Sequence, residues 1–288
     1  MKKVLIIGCN GMAGHLIFNY FKSLNKFNVF GIARNIESSD SVFNLDVNDL
    51  NTLEQIIVEN RFDYIINCVA VLNRDAEDNP EKAIWYNSFF PYFLESITKK
   101  TNIKCIFISS DCVFSGAKGN YLENDLKEGT GFYAQSKGLG EVINKKDTTI
   151  RTSIVGPELN NKGIGLLNWF LNQPNDVVLN GHGKSYWTGL TTLELAKAII
   201  QIIDQNIVGL IHIVPNEKTT KFNLLTTFNQ VFKGNKLEII EDNSFKVDRS
   251  LQTNRSDFNY SAPNYLEMTK ELKNWMELNR ELYSHYSF

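Results

Sequence analysis

Tyr133 and Lys137 stand four residues apart in Tyr133-Ala-Gln-Ser-Lys137. On a helix this spacing projects both side chains from one face, so a phenol and an ammonium share one site. A free tyrosine titrates near pH ~10, and a neighbouring Lys⁺ is expected to favour the phenolate and lower that value. Upstream, Ile106-Phe-Ile-Ser109-Ser110-Asp111 reads as a buried strand ending in hydroxyls and a carboxylate. The carboxyl ends of parallel strands are where open α/β sheets bind ligands. A Ser110 hydroxyl there would hold a carbonyl oxygen while Tyr133 delivers a proton, which is what a carbonyl reduction needs. Taken singly, YxxxK is a chance pattern and Ser-Asp a turn cap.

A second constellation opens the chain. Gly8, Gly11 and Gly14 are spaced GxxGxxG around Asn10 and Met12, directly after the apolar run Val4–Ile7. A glycine turn between strand and helix lets the backbone approach a pyrophosphate, and the helix N-terminus offers free N–H groups. The 2′ position of such a dinucleotide is read about 20 residues later, by an acid for a hydroxyl or an arginine for a phosphate. Gly31-Ile-Ala-Arg34-Asn35 carries no acid at that point, so Arg34 favours NADPH, with NADH also usable.

These residues need a scaffold. Strand-like runs at Val4–Ile7, Val29–Ile32, Tyr64–Val69, Lys104–Ser109 and Thr149–Ser153 alternate with segments of helical periodicity. Strands apolar throughout imply a parallel sheet covered on both faces, hence an α/β, Rossmann-type doubly wound fold. After about residue 155 glycines punctuate the pattern, a helix at Leu193–Ile203 and a strand at Leu210–Val214 return to the sheet, and a polar irregular stretch precedes a last helix near Tyr265–Met276. The reading is a dinucleotide-binding domain over 1–155 and about 188–215, with a smaller α/β lobe at about 156–187 and 216–288.

Across 288 residues, 30 Lys+Arg nearly balance 32 Asp+Glu and form no basic stripe, which argues against nucleic acid or anionic membrane as a partner. No apolar stretch approaches the roughly 20 residues of a membrane span. Cys9, Cys68, Cys105 and Cys112 form no CxxC pair, and the four histidines have no metal-ligand spacing. A reduced cytoplasmic protein without a metal is expected.

The stretches GCNGMAG (8–14), NCVAV (67–71), YNSFFPYFLE (86–95), ISSDCVFSG (108–116), YAQSKGLGE (133–141), IRTSIVGPE (150–158) and DRSLQTNRSDFNY (248–260) resemble the extended short-chain dehydrogenase/reductases, within them the dTDP-4-dehydrorhamnose reductase group. The resemblance implies reduction of the 4-keto group of a nucleotide-linked 6-deoxy sugar for polysaccharide precursors. It assigns Tyr133 as proton donor, Lys137 as partner of the phenol and the nicotinamide ribose, and Ser110 as orienter of the carbonyl. It also implies cofactor contacts at Asp46, Val47, Cys68, Val69, Ala70 and Asn87. Sugar contacts are implied at Asp111, Val113, Phe114 and Thr152. Basic and aromatic groups of the second lobe, Trp187 among them, are expected to grip the nucleotide diphosphate, and a homodimer stays open. Ser110 stands where the group usually has threonine, and Ile154 where an aromatic is common, which leaves the sugar unspecified. Dehydratases carry Asp-Glu after the strand hydroxyl, whereas here Cys112 follows Asp111. An epimerase and a non-catalytic nucleotide-binding regulatory subunit are the competing readings.

Overall fold

A computed structural model describes residues 1–287. In chain order it begins with strand β1 (Lys2–Ile7), helix α1 (Met12–Ser23), β2 (Phe27–Ala33), β3 (Val42–Asn44), α2 (Leu50–Asn60) and β4 (Tyr64–Asn67). A helical run follows: α3 (Asn73–Asp78), α4 (Pro80–Ala83), a π-helical segment Ile84–Phe89 and α5 (Phe90–Thr98). Then come β5 (Lys104–Ile108), α6 (Gly131–Leu139), β6 (Thr148–Arg151), β7 (Ile154–Val155) and α7 (Leu166–Leu171). The remainder holds β8 (Val178–Trp187), β9 (Leu190–Thr191), α8 (Thr192–Gln205), β10 (Gly209–His212), β11 (Thr219–Thr220), α9 (Lys221–Phe228), β12 (Glu238–Asp248) and α10 (Tyr265–Leu278).

Two compact units result. The first comprises Met1–Val113, Lys127–Arg151 and Asn206–Ile211; the second takes Phe114–Leu126, Thr152–Gln205 and the chain from His212 on. The boundaries drawn from sequence differ at 114–126 and 188–205, and more slightly at 152–155 and 212–215. Residues 114–126 fall in the second unit because Phe114 stacks on Tyr121, with ring centroids 4.1 Å apart, and Tyr121 N–H donates to Ser250 O. Residues 188–205 fall there too, since α8 packs on β9 and α10.

The first unit is built on a seven-stranded sheet of order β10-β6-β5-β4-β1-β2-β3. β1 lies between β2 and β4, parallel to both, and β4, β5 and β6 continue the parallel pairing. This is the doubly wound α/β fold. Val4, Leu5, Ile6 and Ile7 have no solvent exposure, which explains why the strand is apolar throughout instead of alternating. On one face Leu5, Ile7, Ile65, Cys105 and Phe107 meet Leu53 and Ile57 of α2 and Phe90 and Leu94 of α5. Asp49 starts α2 by accepting the Thr52 N–H, and Arg61 ends it in the left-handed region at φ 50°.

The second unit carries a three-stranded sheet, β11-β8-β12, and the short pair β7–β9. No described helix is long and apolar enough to cross a membrane.

Candidate active site

The glycine turn between β1 and α1 is shaped by sterics. Gly8 sits at φ +85°, and its N–H and that of Cys9 both donate to Ile32 O, at 2.8 and 3.1 Å. A β-carbon on Gly14 would stand 2.1 Å from Gly8 O, and one on Gly8 would stand 3.2 Å from the Cys68 carbonyl carbon. Only bare backbone lets β1, the first turn of α1 and the end of β4 close together.

Above this turn lies a cavity of about 280 Å³. Gly8, Asn10 and Gly11 form its floor; Arg34 and Asn35 border it from the end of β2, Leu45 and Val47 from beyond β3, and Cys68, Val69 and Ala70 from beyond β4. Tyr86, which no local pattern marks as a site residue, closes one wall and accepts a hydrogen bond from Asn48 at 2.8 Å. Asp46 is bound from two sides: Oδ1 accepts from the N–H and side-chain amide of Asn48, and Oδ2 faces Arg34 Nη1 at 3.3 Å. Met12 opens α1, and Gly14 serves the turn and not the wall. A glycine cradle that any β-carbon would fill, with an arginine at the far strand end, fits a dinucleotide.

Asn87 departs from its expected role of cofactor contact. Buried in the π-helical segment, it accepts the Val71 N–H at 2.9 Å and donates to Val71 O at 2.8 Å and to Ser136 Oγ at 3.1 Å. Its amide is spent tying the strand-end loop 68–71 to α6, so it shapes the wall from behind.

Tyr133, Lys137 and Ser110 all come to the tip of β5. The phenol lies close enough to the Ser110 hydroxyl to be influenced by it, and Lys137 Nζ donates to Ile108 O at 2.6 Å. Ser110 Oγ also donates to Asp111 Oδ1 at 3.2 Å and accepts the Cys112 N–H at 3.1 Å. The helix bearing Tyr133 and Lys137 is anchored at both ends. Glu77 caps its start, accepting the N–H groups of Phe132 and Tyr133 at 2.9 and 3.0 Å, where the helix dipole favours a carboxylate. At its far end a β-carbon on Gly140 would lie 1.7 Å from Asn87 O, so glycine alone allows this approach. Glu77 could not be found from sequence, because it lies 56 residues from the N–H it caps.

The electrostatics correct one expectation. The Tyr133 phenol is pushed up, not down: burial raises it most, Cys112 and Asp111 raise it further, and the Ser110 hydroxyl opposes them. Lys137, which points to the strand carbonyl, is not among these causes. The phenol therefore keeps its proton at neutral pH, the form a proton donor needs. Burial lowers Lys137 to about 8, against the pull of Glu141 and Cys68. Burial raises Cys68 to about 12, so it is an inert thiol on the cavity wall.

The expected sugar contacts are mostly interior. Asp111 is 6% exposed beside Ser110, and Val113 is buried at 1% in the first unit. In the second unit Phe114 is fully buried against Tyr121, Thr152 donates to Ser153 O at 3.2 Å, and Trp187 is 3% exposed. Trp187 packs 5.8 Å from the Tyr265 ring, under the Lys221 ammonium at 4.6 Å. Phe114 and Trp187 are packing residues, as large aromatic surfaces buried to this degree usually are. No group of three or more His, Cys, Asp or Glu side chains suited to a metal occurs among the described residues.

A parallel doubly wound sheet, a glycine turn after its first strand and a Ser–Tyr–Lys set at the tip of β5 define the extended short-chain dehydrogenase/reductase class. Residues 1–252 match the model of the RmlD substrate binding domain family, and the chain belongs to that family. It is 27% identical over 143 residues to the probable low-salt glycan biosynthesis reductase Agl14 of Haloferax volcanii, covering 47% of this chain and 46% of that protein, so it spans about half that relative's length. It is 23% identical over 254 residues to methionine adenosyltransferase 2 subunit beta of Bos taurus, covering 80% of this chain and 72% of that one. Among solved structures, a hypothetical dTDP-4-dehydrorhamnose reductase from Sulfolobus tokodaii is 25% identical with TM-score 0.75, covering 92% of this chain and 98% of that chain. The Bacillus anthracis dTDP-4-dehydrorhamnose reductase in complex with NADP is 19% identical with TM-score 0.79, covering 96% and 99%, and shares the fold.

Proposed function

We propose that this protein is an NADPH-dependent reductase acting on the 4-keto group of a nucleotide-linked 6-deoxy sugar, within the synthesis of glycan or polysaccharide precursors. The observation that carries the reading is the meeting of Ser110, the buried Tyr133 phenol and Lys137, held on Ile108 O, at the tip of β5. Membership of the RmlD family and the reductase named for the Haloferax relative support the same class.

The nicotinamide cofactor, when bound, supplies the hydride. The chain's own residues do the rest. Gly8, Gly11 and the N-terminus of α1 offer backbone to the pyrophosphate, and Arg34 offers a cation to a 2′-phosphate. Ser110 holds the substrate carbonyl oxygen, and Tyr133 donates its proton to that oxygen as negative charge develops there. Lys137, held on Ile108 O, offers its ammonium to the nicotinamide ribose. Asp111, fixed by Ser110, borders the sugar.

Purified protein with NADPH and a panel of dTDP- and UDP-4-keto-6-deoxy sugars tests this, read by loss of NADPH absorbance and by product analysis. Stoichiometric oxidation with one sugar is expected. Conversion between epimers without net oxidation would instead establish an epimerase, and no turnover with tight dinucleotide binding would favour a non-catalytic nucleotide-binding subunit.

A further inference from the structure

The chain just past β4 holds one residue of α6 in two ways. Glu77, on α3, accepts the Phe132 N–H through Oε2 at 2.9 Å and the Tyr133 N–H through Oε1 at 3.0 Å. Ala76 beside it forms a small buried cluster with Val71 and Ala83, and Tyr133 packs against that cluster. The backbone of Tyr133 and its side chain are therefore both held by residues 71–83.

We infer that Glu77 is a positioning residue for the reaction: its carboxylate seats Tyr133 on the cluster around Ala76 and so keeps the phenol at the tip of β5. The inference rests on the reductase reading for its consequence in catalysis.

Three observations set Glu77 apart from an ordinary surface acid. First, α6 has no cap of its own. Thr130 precedes the helix without a side-chain bond to it, and no acidic residue occupies the first turn. The first N–H groups of a helix lack intrahelical partners, so without Glu77 those of Phe132 and Tyr133 are left to water. Second, the chain leaves room for this contact. Gly131 sits at φ +86°, and a β-carbon on it would stand 2.7 Å from Glu77 Oε1. Third, the element that carries the acid is itself fixed. Asp75 accepts from Lys82 Nζ at 2.6 Å and from the Asn79 amide at 2.9 Å, which stitches α3 to α4. The bonds from Tyr133 and then Phe132 hold the Glu77 carboxyl below its usual range, so it stays an acceptor at neutral pH.

The consequence falls on the proton donor. Helix ends fray, and Tyr133 is the third residue of a nine-residue helix. Lys137, one turn further on, is tied separately to Ile108 O. Glu77 does not line the dinucleotide cavity. Its loss should therefore be felt at Tyr133 and not at the lysine or the cofactor.

The test compares Glu77→Ala with the parent protein and with Tyr133→Phe. Without substrate, amide exchange at Tyr133 should quicken by about tenfold, the effect of removing one cap, while that at Lys137 holds. Nuclear Overhauser contacts from the Tyr133 ring to the methyls of Val71, Ala76 and Ala83 should weaken. In turnover, kcat should fall by about tenfold or more while KM for NADPH stays level. In the Tyr133→Phe background the same substitution should cost less than about twofold, because Glu77 acts through the phenol. Equal losses in the two backgrounds, a parent-like kcat, or unchanged exchange and ring contacts at Tyr133 overturn the inference. Should Glu77→Ala not fold, Glu77→Gln decides. It leaves one acceptor oxygen for two N–H groups, so the same losses appear in smaller measure, and parent-like behaviour overturns the inference. The exchange and ring contacts need no substrate, so a failed sugar panel counts against the reductase reading and leaves them to judge Glu77.

Discussion

Cofactor choice turns on Arg34, and its removal can be reasoned to a number. Its side chain is 62% exposed and already faces Asp46 at 3.3 Å, so any 2′-phosphate shares the guanidinium with a carboxylate. Two unit charges about 4 Å apart in a water-like medium attract by about 1 kcal/mol, so a phosphate with nearly two charges gains about 2 kcal/mol. Repulsion from Asp46 at somewhat greater range offsets a part, leaving about 1.4 kcal/mol, or about tenfold in affinity. Arg34→Ala should therefore raise KM for NADPH about tenfold. KM for NADH should stay level or fall, since the freed Asp46 can accept a ribose 2′-hydroxyl. Both constants are measured at one ionic strength, because an exposed pair is screened by salt. An unchanged NADPH constant, or equal rises for both cofactors, would show that Arg34 does not touch the phosphate.

Three further outcomes follow from the same geometry. Gly14→Ala places a β-carbon 2.1 Å from Gly8 O and should abolish NADPH binding in calorimetry; retained binding would mean the turn is not the pyrophosphate cradle. The alkaline limb of kcat/KM should lie near pH 8, where Lys137 loses its proton, while the raised Tyr133 stays protonated throughout. A limb beyond pH 10 would refute the role of the ammonium. His15, 1% exposed and bonded to Gly11 O at 2.9 Å, is held down to about 4 by burial. Between pH 6.5 and 4 the unfolded chain binds a proton that the folded one refuses, so unfolding free energy should fall by up to about 3 kcal/mol on acidification across that window. Denaturant melts should show this slope, flattened in His15→Asn.

The glycine turn, the strand-tip serine and the Tyr–Lys spacing were legible because each is local: a period, a turn or an offset of four residues. What the sequence concealed is long-range or disguised. Glu77 and Asn87 act on backbone groups 56 and 16 residues away, and no local pattern marks such partners. Gly181 and Gly183 read as loop punctuation, yet both lie in the ten-residue β8, where β-carbons would strike Phe222 Cα at 2.7 Å and Glu241 at 2.0 Å. The polar stretch 241–248 reads as irregular but forms most of strand β12, whose residues 243–246 are exposed and leave no apolar alternation to detect. The direction of the Tyr133 shift was misjudged for a related reason. Spacing shows that a lysine shares the face, but not that it turns to Ile108 O while the phenol is buried near Asp111.

The central claim is that the Tyr133 hydroxyl delivers the proton, and single-turnover kinetics of Tyr133→Phe measure it most directly. With saturating NADPH and the sugar nucleotide that the panel identifies, the rate of NADPH oxidation should fall by about 10²- to 10⁴-fold with NADPH affinity unchanged. A rate within threefold of the parent protein would contradict the account.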